Sequence, residues 1–439
     1  MKEFFPNIIL DDYSYNLPKE RIALYPLSDR SSSKLLVAVN NLLINNFLIK
    51  QSDNLNFQDS NLSVDHRLFK DIPSLIPENS LIFLNDTKVI PARLLFRKNT
   101  GGLVEIFCLD PVFPSTDPQI SLQSEKKTIW NCLYSGRNIK EGSSFQLTTN
   151  DSETILNALV LKKDGKNVLV EFRWDNCNEK FINIINKIGN IPLPPYINRE
   201  TEESDYNTYQ TVYASSDGSV ASPTAGLHFT DNIFEELSKK NISIQKLTLH
   251  IGLGTFSLIE SKKIANHNMH SELLSVNLIT LKSLLNFLQI KDNNKRLVAV
   301  GTTSIRTLET LYWLGVKIAL GVKFNISFND LLLNQYEPYY YQNTANLPSP
   351  SESINLLVDY MENQLKTNVL FGRTELFIVP GYDFKIVDTL ITNFHLPGST
   401  LILLVAAFIG KDNFYRIYNE ALNNNYRFLS YGDSSILFR

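Results

Sequence analysis

Five short polar segments of this chain carry the residue types that move protons or hold anions. They are SPTAGLHFT with Thr224, Gly226 and His228; LHIGLGTF with His250 and Gly252; HNMHSE with His267, His270 and Glu272; GTTSIR with Thr302, Thr303 and Arg306; and TNFHLPGST with Asn393 and His395. Imidazoles and a carboxylate suit general acid–base work, because both can be tuned to titrate near neutral pH. Threonines and glycines at a helix start offer donors to an anion, and Arg306 on a first helical turn adds charge. Each segment alone also fits a satisfied histidine or a surface turn. A metal reading is weak, since His270 and Glu272, or His267 and His270, make two ligands without a third. The glycine-rich turn is not a dinucleotide fingerprint, because residue 257 is Ser. His228, His250, Glu272 and Arg306 are expected to face one cavity.

The elements that must position these groups follow from periodicity. After residue 196, strand-like and helix-like stretches alternate, which argues for an α/β domain. Strands are expected at 242–251, 296–300, 375–379 and 385–392. Helices are expected at 231–240, capped by Thr230, and at 279–290, 305–314, 351–365 and 413–424. Residues 334–349 read as an irregular loop. The polar segments fall at strand ends, and in an open α/β sheet such ends converge on a ligand crevice. From 89 to 195, LVEIFCL, TIWNCLY, FQLTT, ILNALVL and NVLVEFRW are short strands broken by turn residues, the pattern of a small all-β barrel. The proline-rich IPLPPY at 191–196 closes it. Residues 1–88 and 196–439 are then one discontinuous domain. The Asn-rich 40–66 reads as a surface loop with a hairpin through LLINNFLI.

Net charge is −3, so no global basic excess points to nucleic acid, although a local patch suffices. Three cysteines without a CxxC pair suggest neither a disulfide framework nor a zinc ribbon, and fit a cytoplasmic protein. The longest apolar run, Leu401–Ile409, is too short to span a bilayer.

The chain resembles the S-adenosylmethionine:tRNA ribosyltransferase-isomerase family of queuosine biosynthesis. NDTKVIPARL, GGLVEIF, IPLPPYINR, YQTVYA, SPTAGLHFT, LHIGLGTF, HNMHSE, AVGTTSIRTLE, GYDFKIVDTLITNFHLPGST and YRFLSYGD carry the resemblance, from about residue 11 to 433. The departures are Ser222 where the family has Ala, Lys88 where Arg is frequent, Gly398 where a larger residue is common, and a longer 40–66. The resemblance implies a larger α/β barrel-like domain with a small inserted β-barrel. It implies transfer of the ribosyl moiety of S-adenosylmethionine to 7-aminomethyl-7-deazaguanine in a tRNA anticodon loop, with release of adenine and methionine. No metal or cofactor is required, since S-adenosylmethionine is the donor substrate. The reaction needs a base for an acidified C5′ hydrogen, an acid for adenine and a neutral amine. His228, His250, His270, Glu272 and His395 are the candidates for proton transfer. Lys88, Arg93, Arg199, Arg306 and Arg427 are candidates for phosphates, and Tyr209, Tyr213 or Phe229 for stacking on a base. Thr224, Gly226, Gly252, Thr302, Thr303 and Asn393 complete the expected binding set. A monomer is expected. The rival readings are an S-adenosylmethionine-dependent RNA methyltransferase, for which the glycine-turn and acidic-residue pattern is missing, and a non-catalytic RNA-binding module.

Overall fold

The computed structural model describes the chain except residues 41–61, 99–100, 149–154, 177, 253, 255–257, 260, 262, 291, 293, 323 and 325–330. The expected hairpin near 40–49 lies outside the described residues.

The first strands are β1 (Lys34–Asn40), β2 (Leu62–Leu68), β3 (Leu81–Asn85) and β4 (Thr87–Val89). Then come β5 (Arg93–Arg97), β6 (Leu103–Phe113), β7 (Lys127–Ser135), β8 (Ser144–Thr148), β9 (Ile155–Asp164) and β10 (Asn167–Trp174). After β11 (Gly189–Asn190) and β12 (Ser216–Ser219), the chain forms β13 (Ser243–Leu249), β14 (Glu272–Asn277), β15 (Leu297–Val300) and β16 (Leu331–Leu333). It ends with β17 (Val369–Thr374), β18 (Thr389–Asn393) and β19 (Ser434–Phe438).

Ten strands make one mixed sheet in the order β16-β17-β14-β13-β3-β15-β18-β19-β1-β2. At its centre β13, β3, β15 and β18 run parallel. Parallel strands are covered on both faces, so their sequences are apolar throughout rather than alternating. β3 shows it: Leu81 and Phe83 enter one core with Leu308, Leu311 and Trp313, while Ile82 and Leu84 enter another with Phe229, Ile233 and Leu237. The smaller unit is a barrel. β5, β6, β7, β10, β9 and β8 pair in that order, antiparallel throughout, and β8 returns to β5 through Gln146 and Arg97. Trp130, Phe172 and Phe181 fill it, and Cys108 and Cys132 lie opposite one another inside as free thiols.

Several expected boundaries move. The helix expected at 305–314 runs Gly301–Ala319, starting directly at the strand end. The positive φ of 86° at Gly301 makes that abrupt turn possible. Residues 375–379 are not a strand. Thr389–Asn393 and Val369–Thr374 take the ladder positions, and Leu376–Val379 pack into the core as irregular chain. The segment expected as a loop contains helix Glu337–Thr344, whose first residue accepts Lys317 Nζ at 2.8 Å. Ser349 caps the helix expected at 351–365, which runs Pro350–Tyr360, through a capping box with Glu352. Thr230 occupies its N-cap position without a side-chain capping bond. Among the described residues, no helix is long and apolar enough to cross a membrane.

Candidate active site

The four parallel strands deliver their carboxyl ends side by side. β3 ends in Asn85, β13 runs into His250, β15 into Gly301–Thr303, and β18 into Asn393. Asn85 locks the first two ends together: its Nδ2 donates to Leu249 O and its Oδ1 accepts from Leu249 N, both at 3.0 Å. β14 starts at the same end, antiparallel to β13, and so brings Glu272 there. The segment Tyr209–Thr230 ties this edge to the barrel, since β12 pairs with β4 and Val220 enters the barrel core.

Two neighbouring cavities open at these ends. The larger, of about 280 Å³, lies between the domains and is walled by Asp110, His250, His270, Glu272, Arg306 and Arg373, with Gly252 at its side. The second is walled by Thr224, Thr302, Thr303, Asn393 and His395. Ile251 and Leu401 belong to both walls, so the two are adjacent.

In the larger cleft, His250 Nδ1 is 3.0 Å from Thr87 Oγ1. Burial lowers its pKa to about 4, so the ring is neutral at pH 7. Gly218 lies beneath the ring: a Cβ there would come within 2.9 Å of His250 Cε1. Arg306 is buried and its Nη1 donates to Glu272 Oε2. Its Nε donates to Leu376 O at 3.1 Å, while its Nη2, also buried, has no partner among the described residues. Glu309, three residues on, does not pair with Arg306. It accepts from the backbone of Lys385, Ile386 and Val387 and from Tyr382 Oη, pinning that loop. His270 packs on Gly254, where a Cβ would stand 2.3 Å from its Cδ2. Gly254 is therefore the glycine that close packing demands. Gly252, the one expected, has open space where its Cβ would be.

In the second cavity, His395 Nε2 is 2.9 Å from Thr392 Oγ1, and burial lowers its pKa to about 3. Thr303 Oγ1 and Ser222 Oγ are buried in its wall with no partner among the described residues. Such groups are costly to bury unmatched, and a polar ligand would satisfy them.

His228 does not share the larger cleft, which corrects the expectation of one cavity for His228, His250, Glu272 and Arg306. It lies behind the second cavity, 4% exposed, 5.0 Å from the Phe69 ring. Thr224 Oγ1 donates to Asn393 Oδ1 at 2.9 Å, so Asn393 Nδ2 is the donor to His228 Nε2 at 3.3 Å. The remaining proton sits on Nδ1, 2.9 Å from Ser33 Oγ. His228 thus orients Asn393 and Thr224. Burial lowers its pKa to about 4, whereas an unfolded histidine titrates near 6.5. The unfolded chain takes up this proton first as pH falls. The neutral ring's contribution is intact above about pH 6.5 and is lost towards pH 4. Urea unfolding of H228N is expected to lose roughly 2 kcal/mol less than the unsubstituted protein between pH 7 and 4.5. Parallel profiles would remove this role.

Other expected binding residues do not reach these cavities. Tyr209 is 0% exposed, packed with Val89, Ile191 and Tyr431, and cannot stack on a base. Phe229 is equally buried and stacks on Phe234 at 5.3 Å. Gly226 serves Tyr213: a Cβ there would stand 1.9 Å from the tyrosine hydroxyl oxygen. Lys88 pairs with Asp217 at 3.2 Å and Arg93 with Glu105 at 2.6 Å, and neither walls the cleft. Arg199 forms a two-bond pair with Asp205. Arg427 walls a small pocket with Arg30 and His228. Asp110 and Arg373, which wall the cleft, were not singled out by sequence. Both sit in ordinary strand patterns, and only domain packing brings them to the site. Among the described residues, no group of three or more His, Cys, Asp or Glu is arranged to hold a metal ion.

Fold and site together define a class: an α/β domain with a barrel inserted in it, whose strand ends form a polar cleft walled by histidines, carboxylates and guanidinium groups. Residues 10–437 match the family described as queuosine biosynthesis protein, and the chain belongs to that family. It is 35% identical to the S-adenosylmethionine:tRNA ribosyltransferase-isomerase of Sulfurihydrogenibium sp. (strain YO3AOP1), over 98% of this chain and 99% of that one. It is 34% identical to the protein of the same name from Clostridioides difficile (strain 630), over 97% and 98%. A crystal structure of an S-adenosylmethionine tRNA ribosyltransferase from Thermotoga maritima is 27% identical, covering 97% of this chain and 100% of that one, with a TM-score of 0.43.

Proposed function

We propose that this chain is an S-adenosylmethionine:tRNA ribosyltransferase-isomerase. It transfers the ribosyl moiety of S-adenosylmethionine to the aminomethyl group of 7-aminomethyl-7-deazaguanine in a tRNA anticodon. The ribosyl group is isomerised to an epoxycyclopentanediol, and adenine and methionine leave. The observation that carries this reading is 35% identity, over 98% of this chain and 99% of the relative, to a protein named for that activity.

The site chemistry supports it. The sulfonium acidifies the C5′ hydrogens, and His250, neutral and held by Thr87, is the acceptor we assign. His270, on the open side of the cleft, is the donor we assign to the departing adenine. Glu272 serves by holding Arg306 rather than by exchanging protons. The hydroxyls of Ser222, Thr302 and Thr303, with Asn393, are neutral partners for the adenosyl part of the donor. His395 keeps Thr392 in place beside them. The reaction balances without a redox cofactor or a metal, and S-adenosylmethionine enters as substrate. The tRNA partner meets the protein through its anticodon loop, with the protein monomeric and cytoplasmic.

Incubation with S-adenosylmethionine and tRNA carrying the deazaguanine precursor is expected to release adenine and methionine in equal amounts. Formation of S-adenosylhomocysteine instead would identify a methyltransferase and end this reading.

A further inference from the structure

The barrel sends one charged side chain into the cleft, and the strand that carries it is built to do so. Along β6, Val104, Ile106 and Cys108 point into the barrel core. Unbroken alternation would put Asp110 inside as well. The pairing of β6 with β7 slips between Cys108 and Asp110, where one extra residue is accommodated. After this bulge the buried residue is Pro111, and Asp110 is turned out into the cleft. Re-aiming a side chain is what such bulges do beside active sites.

Across the cleft stands Arg373 on β17. It lies in register with Leu273 and one position from the Glu272–Thr374 pair. Its positive charge acts on Asp110, and the negative charge of Glu272 opposes it. Arg306 already shares its charge with Glu272, but its buried Nη2 still offers an N–H in the same cleft. The cleft therefore presents a carboxylate from one domain opposite guanidinium donors from the other. A phosphate would meet Asp110 with like charge. A lone ammonium would leave Arg306 Nη2 unmatched. A group bearing an ammonium and a carboxylate on one carbon matches both walls.

We propose that Asp110 and Arg373 hold the methionyl zwitterion of S-adenosylmethionine, Arg373 with Arg306 Nη2 taking the α-carboxylate and Asp110 the α-ammonium. This assignment rests on the function proposed above and adds the donor's orientation. The methionyl end spans the two domains, and the sulfonium is directed towards His250. The protein mass around Asp110 raises its pKa above the usual carboxylate value, and a bound ammonium would draw it back down. The pair is a positioning device and takes no part in proton transfer.

The test uses the full-length protein, precursor tRNA and three donors: S-adenosylmethionine, its decarboxylated analogue, and an analogue without the α-amino group. The unsubstituted protein is expected to prefer S-adenosylmethionine over either analogue by about 10- to 100-fold in kcat/KM, the value of one charge-assisted contact. R373M is expected to raise KM for S-adenosylmethionine by a similar factor and to weaken discrimination against the decarboxylated donor only, with Arg306 Nη2 keeping the remainder. D110N is expected to abolish discrimination against the deaminated donor only. R373K, which keeps the charge, should retain part of the preference, separating recognition from misfolding. All three variants should leave KM for tRNA unchanged. If discrimination is undiminished in R373M and D110N, or if D110N raises KM for tRNA instead, the assignment is overturned. Absence of adenine release by the unsubstituted protein would instead defeat the functional reading beneath it.

Discussion

Replacing Glu272 with alanine is expected to destabilise the protein by about 3 kcal/mol and to abolish detectable turnover, because it strands a buried guanidinium. Arg306 is 5% exposed, and among the described residues Glu272 is the partner of its Nη1. Breaking a buried pair from one side costs more than the pair contributes, since the remaining charge keeps its desolvation penalty. Cleft water can approach the vacated side, which holds the expected loss near the lower end of the usual range. Urea unfolding measures it. E272A/R306M should recover most of the stability, because no charge is then left unmatched, while turnover stays absent. If E272A alone is as stable as the unsubstituted protein, Glu272 does not offset the buried charge of Arg306. E272Q keeps an acceptor without the charge and should fall between the two.

H250A is expected to lower kcat by about 10²- to 10⁴-fold, the usual worth of a positioned proton acceptor. His250 is set by the β13 end, by Thr87 and by Gly218 beneath the ring. The measurement is twofold. Single-turnover release of adenine reports the chemical step, and wash-in of solvent deuterium at C5′ of S-adenosylmethionine reports proton removal directly. Both should fall together in H250A, with KM for S-adenosylmethionine changed little. A variant that still exchanges C5′ hydrogens at the normal rate would move the base to another residue. With a pKa of about 4 this group stays neutral from pH 8 down to 5, so on its account kcat is flat there. Activity that depends on it falls only below about pH 5, as the ring gains its proton.

The position of the candidate site along the chain was legible in the sequence, and its membership was legible only in part. His250, His270, Glu272, Arg306, Thr302, Thr303, Asn393 and His395 wall the two cavities because polar residues after apolar strands mark strand ends. Tyr209, Phe229 and Gly226 were legible as unusual residues, but their partners were not. An aromatic in a polar loop looks available until the surrounding chain buries it, as Val89, Ile191 and Tyr431 bury Tyr209. Lys88 and Arg93 carried no sign that Asp217 and Glu105 would claim them. Helix Glu337–Thr344 was hidden in a stretch rich in Asn, Pro and Tyr, because what anchors it is distant in sequence: the Lys317–Glu337 contact and the core that takes up Tyr339 and Tyr341.

By itself the sequence determined the alternation of strands and helices, the short-strand texture of the barrel, and polar turns at strand ends. All are local properties, set by periodicity and turn chemistry. The tertiary structure alone decided which turns share a cavity. It set His228 behind Asn393 rather than in the cleft, and chose Glu272 rather than Glu309 as the partner of Arg306. It also carried Asp110 across from the barrel. The physical reason is that a strand's register and a single bulge decide which way a side chain faces. Two residues 263 positions apart, Asp110 and Arg373, wall one cleft only because the barrel packs beside the larger sheet.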